Sequence, residues 1–426
     1  MRAALWFIAL FGIAIALALF AGNNQGTITV FWPPYRIDLS LNMVLLILLG
    51  GFTLVHLALR ALAALLDLPV QAGRWRNQQK ERAMHVALLD GLSHLTAGRF
   101  IRARKAAEAA IAHEKALVGT GEPLAHAVQV RALAHLIAAE SAHSLQDRGA
   151  REKHLQQALE QTATNPSAPA QEAREGVQLR AAGWALQDRD AAAALAWLEQ
   201  LPQGAARRTM ALRTRLRATR LAQQTQAALE TARLLIKHRA FSASAAHSIV
   251  RGLAVELINQ AHDVSQLLAV WQSLDNNERG KPELAVHAAE RLRLLGGDAT
   301  LARTWLLPAW EALTAEPAGL ADALQVKLVR ALEGSLSDVD PQWLARIESA
   351  QQQNPRDPML KYLAGIACLR LQLWGKAQKL LEQAAVQLPH DALRCRAWRA
   401  LAVVAEQRGD VEATALAWRK AAEMVD

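Results

Sequence analysis

The sequence predicts an all-α protein, an N-terminal two-helix membrane hairpin followed by an irregular α-solenoid. Three observations predict it. Two long stretches near the N-terminus carry no charge, the chain after about Gln78 is dominated by strong helix formers, and a helical-hairpin unit recurs in degenerate form. The 426 residues are 52% hydrophobic and 20% charged, with a formal net charge of +9. A mean hydropathy of +0.05 is too high for a disordered chain and too low for a polytopic membrane protein. With only Cys368 and Cys395, a disulfide scaffold, a four-cysteine zinc ribbon and a cysteine-ligated iron–sulfur cluster are all excluded.

The first stretch, Ala3–Ala21, reads AALWFIALFGIAIALALFA. At about 1.5 Å per residue it spans a hydrocarbon core, and it exceeds the 7–15 residues of a usual signal-peptide core. Leu39–Leu59 is again uncharged until Arg60. Residues 22–38 connect the two, with β-prone alternation at Thr27–Trp32 and a stop at Pro33–Pro34. Phe31, Trp32 and Tyr35 suit a membrane interface. Residues 1–66 therefore form a membrane hairpin, with spans at about 3–21 and 39–59. Basic residues follow the second span, whereas the connecting segment holds only Arg36 beside Asp38. That asymmetry predicts cytoplasmic termini and a periplasmic connection. Residues 67–83 are expected as a basic juxtamembrane linker whose Arg74, Arg76, Lys80 and Arg82 either contact anionic lipid or simply flank the span.

Residues 84–426 are expected as a cytoplasmic helical repeat domain. Its clearest unit is LKYLAGIACLRLQLWGKAQKLLEQAAVQLPHD. Gly365 precedes Ala377 by twelve residues, and Leu381, Ala384 and Pro389 follow. Two antiparallel helices approach closely where both present a small residue, and proline ends the second helix because it has no N–H. This spacing resembles the tetratricopeptide pattern. Gly91 and Ala103 fit the same frame, as do Trp398 and Trp418 with Ala421, although Thr414 stands where alanine is usual. Weaker echoes include Ala302, Leu306 and Pro308. Unit spacing is irregular, as in a degenerate array.

Catalytic motifs are missing from the sequence. It has no G-x-G-x-x-G, no P-loop, no His-Glu-x-x-His, no Gly-x-Ser-x-Gly and no Cys-x-x-Cys. The chain is accordingly expected to be no enzyme, with no resident cofactor or metal. His56 near the end of the second span is expected to snorkel or bond within its helix. His126, His135, His143 and His154 succeed one another over two helices and are expected to be solvated, with transient haem or porphyrin contact as the alternative. Arg213, Arg217 and Arg220 share one helical face. That face is either solvated or a surface for an acidic protein partner. It lacks the aromatic stacking residues a nucleic-acid site would use.

The order of these parts resembles the proteobacterial HemY-type proteins. The resemblance rests on Gly26, Val30, Tyr35, Ile37 and Ser40 between the spans, on Ala87–Phe100, and on Gly365–Ala377. It implies an inner-membrane protein linked to late haem and protoporphyrin metabolism, with haem-biosynthesis enzymes such as ferrochelatase as partners. The flavin-dependent oxidase that shares the name is not implied, because its dinucleotide fingerprint is absent here. The membrane hairpin is also similar to that of lipopolysaccharide-assembly protein A, which implies an envelope adaptor as the alternative. The rubredoxin-like metal domain of that protein's repeat partner has no counterpart here.

Overall fold

A computed structural model describes residues 11–16, 18, 22, 26–118, 126–163, 167–315, 320–337 and 340–424. Two compact units divide the chain, Met1–Arg174 and Glu175–Asp426. The first expected span, Ala3–Ala21, lies largely outside the described residues, though residues 11–16 are helical. Among the described residues the fold is helical except for one β-hairpin, so the all-α expectation needs that amendment.

In the first unit, β1 (Thr27–Trp32) pairs antiparallel with β2 (Tyr35–Ser40), in register Thr27↔Ser40 through Trp32↔Tyr35. The β-branched alternation of Thr27–Val30 supplies the strand, and Pro33–Pro34 occupies the turn. The Thr29 hydroxyl donates to Asp38 across the pair, and the Arg36 guanidinium lies 5.5 Å from the Phe31 ring centroid. Ser40 then caps α1 (Leu41–Thr96), its hydroxyl accepting from the Met43 N–H.

Helix α1 runs unbroken for 56 residues. It carries the second apolar stretch, which is long and apolar enough to cross a membrane and is not buried against the protein. The same helix continues through residues 67–83, the stretch expected as a basic juxtamembrane linker: Pro69 sits inside the helix, and no Gly or Ser cluster interrupts it. Large apolar side chains stay exposed beyond the apolar stretch, at Leu65, Leu66, Leu68 and Trp75. At its far end α1 turns apolar residues inward: Met84 is buried and Leu88 packs on the same cluster. Helices α2 (Phe100–Val118), α3 (Ala127–Ser144) and α4 (Arg148–Ala163) follow, each packed on its predecessor. Ala103, Ala107, Ala134 and Ala138 are fully buried at these contacts, where small side chains let the backbones approach. Helix α5 (Ala168–Gln187) spans the division between the units.

The second unit continues with α6 (Ala191–Glu199), α7 (Gln203–Ala206), α8 (Thr209–Leu221), α9 (Thr225–Lys237), α10 (Ala243–Gln260), α11 (Val264–Ser273) and α12 (Asn276–Arg279). The remainder are α13 (Pro282–Leu294), α14 (Ala299–Ala315), α15 (Asp322–Ser335), α16 (Pro341–Gln353), α17 (Pro358–Arg370), α18 (Trp374–Gln387), α19 (Asp391–Arg408) and α20 (Val411–Ala422). Sequential neighbours pair as hairpins: α8 with α9, α13 with α14, α17 with α18, and α19 with α20. The first helices of successive hairpins also touch, in the order α10, α13, α15, α17, α19. That second set of contacts makes a row of first helices, as in a stack of helical hairpins. Helix α17 lies deepest, with every residue from Met359 to Cys368 buried. Tryptophans fill wide gaps in this core: Trp271 stacks on Trp305 at 4.6 Å, and Trp310 meets Trp343 edge-on at 6.0 Å.

A recurring turn joins consecutive helices, most often the two helices of one hairpin. After α17, Gln372 adopts φ 60°, its N–H bonds to the Leu369 carbonyl, and the Leu373 N–H reaches back to Cys368. This is the Schellman closure of a helix by a left-handed residue. It repeats at Gly98, Gln146, Arg189, Gln223, Arg239, Gly296 and Gly409. Pro308, by contrast, lies inside α14 and ends nothing, so the repeat echo assigned to it is withdrawn.

Candidate functional site

The repeat positions divide into those that hold helices together and those that do not. Gly365 faces Leu381 so closely that an added Cβ would sit 2.7 Å from its Cγ. Ala377, Leu381 and Ala384 are fully buried, and Pro389 follows the end of α18. Gly91 has more room: an added Cβ would be 3.5 Å from the Ala107 nitrogen and 3.6 Å from the Ala103 carbonyl. Trp398 is half-buried beneath Lys420, whose ammonium lies 4.7 Å from its ring centroid. Trp418 departs from its expected core role. It is 43% exposed, and its indole N–H donates to Glu406 at 3.0 Å, because α20 has no described hairpin packed over it.

The first helices of the second unit line two connected hollows. One, of 480 Å³, lies between α9, α10, α12 and α13, with Ile236, Val250 and Leu284 in its wall. The next, of 430 Å³, runs on toward α15 and shares Arg251 and Glu283 with it. Within the first hollow, Glu278 is pinned by Arg233, at 2.5 Å from Nη2 and 3.0 Å from Nε. The Asp275 N–H also donates to Glu278, closing a capping box on α12. Hydrogen bonding to Glu278 raises the Arg233 pKa above its ordinary value. A third hollow, of 500 Å³, lies farther along, walled by α15, α17 and α19 with Trp374 and Trp418.

Other predicted residues are scattered. Arg213, Arg217 and Arg220 do lie on one exposed face of α8, but Arg213 donates to the Ala240 carbonyl at 2.9 Å and so fastens the following turn. Arg74, Arg76, Lys80 and Arg82 are spread around α1 rather than aligned: about 200° separates Arg74 from Arg76, at about 100° per residue. Arg76 also donates to the Ala72 carbonyl.

The histidines correct the solvated reading most clearly. His135 is buried, and its Nδ1 lies 3.0 Å from Nδ1 of His154 across α3 and α4. One ring donates and the other accepts, so the accepting ring is neutral when the contact is made. Burial, reinforced by His154, pushes the His135 pKa down to about 4. Burial also lowers that of His154. Nearby, Glu114 is fully buried and meets Arg131 at 3.1 Å. Burial raises its carboxyl pKa and Arg131 opposes that rise. Among the described residues no group of three or more His, Cys, Asp or Glu side chains converges as a metal site. Both thiols are buried, and burial raises the Cys368 pKa, which keeps it unreactive.

What sequence reading missed were the left-handed turns, since Gln146, Arg189, Gln223 and Gln372 carry no glycine to mark them. A signal was available at two of them: Asp147 and Asp190 follow immediately and cap the next helix, accepting from Ala150 and Ala193. Asp410 does the same after Gly409.

No curated protein matches the chain. Several solved structures are similar at low identity. The Naa15/Naa10 complex bound to HypK-THB is 14% identical at a TM-score of 0.22, over 76% of this chain and 56% of that one. The chain thus spans little more than half of that relative. The P58(IPK) TPR domain is 16% identical at 0.21, over 76% and 99%. Yeast Tom70 is 14% identical at 0.26, over 80% and 69%. Residues 26–146 match the family model described as the HemY protein N-terminus, a stretch that takes in the β-hairpin, α1, α2 and α3. Over residues 26–146, this chain is similar to the HemY-type proteins.

Proposed function

We propose that the chain is a membrane-anchored, non-catalytic scaffold that serves late haem and protoporphyrin metabolism by holding partner proteins on its repeat surface. The observation that supports this reading most is the row of first helices in the second unit, with hollows of 430–500 Å³ along it. Such a surface recognises peptides and domains through side chains on successive helices, and it needs no reacting group. The HemY match supplies the metabolic context, and ferrochelatase is the first partner to test. Two spans with both termini in the cytoplasm complete the proposal. Anionic inner-membrane lipid is a second partner. If α1 stands upright, Arg74 and Arg76 lie about 9–12 Å beyond Leu68, whereas Lys80 and Arg82 lie about 18–21 Å beyond it. Headgroup attraction is screened over about 8 Å at physiological salt, so the nearer pair carries most of it.

Photocrosslinking from the groove residues Val255 and Leu324 in intact membranes tests the scaffold. Recovery of ferrochelatase or a neighbouring enzyme, with porphyrins accumulating in a deletion strain, is the expected result. Normal porphyrins with altered lipopolysaccharide would replace this reading with an envelope adaptor. A Soret band on the purified protein would add haem as a direct ligand.

A further inference from the structure

We propose that the hollow between α15, α17 and α19 is a docking site for an acidic peptide segment of a partner protein, gripped by Arg370 and Arg399 and seated against Trp374 and Trp418. This rests on the scaffold reading and narrows it to one place and one partner chemistry.

The hollow is set apart by its charge. Its wall holds three arginines and one carboxylate. Arg396 is committed to that carboxylate, Glu333, at 3.0 Å. Tyr362 is fully buried nearby, its hydroxyl pKa raised by burial and then by Glu333. Arg370, the last residue of α17, and Arg399, one turn beyond Arg396 on α19, are both exposed. Neither makes an ion pair among the described residues. Two uncommitted guanidiniums thus project from adjacent helices over a floor that includes Ile366 and Ala400.

The first two hollows differ. There Arg233 is consumed by Glu278 and Asp275; Lys237, Arg251 and Lys281 then share the first hollow with Glu283, and in the second Glu283 and Glu290 match Arg251 and Lys327. Of these three hollows the third has the largest excess of arginine over carboxylate, and it alone is lined by tryptophan.

The shape points to a peptide. Arg396, Arg399, Ala400, Val403 and Gln407 follow one face of α19, at i, i+3, i+4, i+7 and i+11, so the hollow is elongated along that helix. Val403 and Trp418 are 38% and 43% exposed, and the Trp418 indole N–H is already satisfied by Glu406. What that side chain still offers is apolar ring surface. Arginine and tryptophan over an apolar floor are the residue types that dominate binding energy at protein interfaces. Guanidinium forks prefer carboxylates as paired acceptors.

The test uses the full chain in nanodiscs and a fluorescent peptide of about twelve residues alternating Glu with Leu and Phe, read by anisotropy. Expected are binding that weakens as salt rises, and at least tenfold weaker binding to R370E/R399E, as loss of about one charge-assisted hydrogen bond implies. R370Q/R399Q should show the same direction, with unchanged helicity. W418A should weaken binding without altering its salt dependence, and R251E should leave it within about twofold. Equal binding of a peptide with every Glu replaced by Gln, or indifference to both arginine pairs, overturns the proposal. Binding of phosphatidylglycerol vesicles through Arg370 and Arg399, with no peptide binding, also overturns it in favour of a lipid site. Sensitivity to R251E alone moves the peptide to the first groove: the scaffold reading then stands while this assignment fails. Absence of crosslinks from every groove position in membranes fails the scaffold reading itself.

Discussion

Gly365 and Gly91 occupy equivalent places in their hairpins, yet the neighbours they meet differ. A methyl group at Gly365 would enter the space of the Leu381 side chain at 2.7 Å, with the Leu381 nitrogen behind it at 3.3 Å. Gly365→Ala should therefore destabilise the protein by about 1–3 kcal/mol through overpacking. Gly91→Ala meets only ordinary contacts at 3.5 Å and beyond, and it gains about 0.5–1 kcal/mol of helix propensity. Its effect should be neutral or stabilising. Chemical denaturation of the two variants decides this, and equal losses would show that the hairpin contacts are alike after all. His135 gives a second test at this scale. Its folded-state pKa of about 4 lies below its ordinary value of 6.5, so the unfolded chain binds the proton more readily. The stability it contributes is complete above about pH 6.5 and is lost as pH falls toward 4. Thermal melts over that range should show the decline, and His135→Phe should flatten part of it. A slope identical in wild type and variant would place the titration elsewhere.

At the scale of elements, the Gly365–Pro389 hairpin was legible because two helices in close contact need small residues at fixed offsets, and those offsets survive in the sequence. The continuity of α1 through the basic stretch was less legible, because charge at Arg74–Arg82 marks the end of an apolar span without saying what backbone follows. Arg, Gln, Lys and Glu are good helix formers, and the helix runs through them. The buried His135–His154 contact was equally hidden, since nineteen positions separate the two residues and only the packing of α3 on α4 joins them. The turns follow the same logic. A left-handed non-glycine residue costs about 1 kcal/mol, so a turn can be conserved in geometry while its glycine is absent. Gln372→Gly should accordingly raise stability by about 1 kcal/mol, as should Gln223→Gly. The matching control is Gly409→Gln, at a turn where φ is 73°, which should lower it by a similar amount. Denaturation midpoints measure all three, and a loss at Gln372→Gly would mean that its side chain holds the turn.

For the whole molecule, the consequence of an unbroken α1 is that one helix carries both the apolar stretch and the first packing surface of the repeats. Met84 and Leu88, which anchor α2 and α3, are on the same rod as Leu46 and Phe52. Orientation of that rod decides which compartment the repeats face, and the positive charge following the span argues for the cytoplasm. Thiol labelling can read this directly, because the native cysteines are silent: Cys368 and Cys395 are 0% and 7% exposed. Thr27→Cys in the β-hairpin and Gln352→Cys at the end of α16 place one exposed thiol on each side of the proposed span. A membrane-impermeant maleimide added to intact spheroplasts should label Thr27→Cys at once and Gln352→Cys only after permeabilisation. The reverse pattern would put the groove outside the cytoplasm, away from haem-pathway enzymes. Labelling of both positions in intact spheroplasts would mean that the helix lies on the membrane instead of crossing it, and the anchor would then be peripheral.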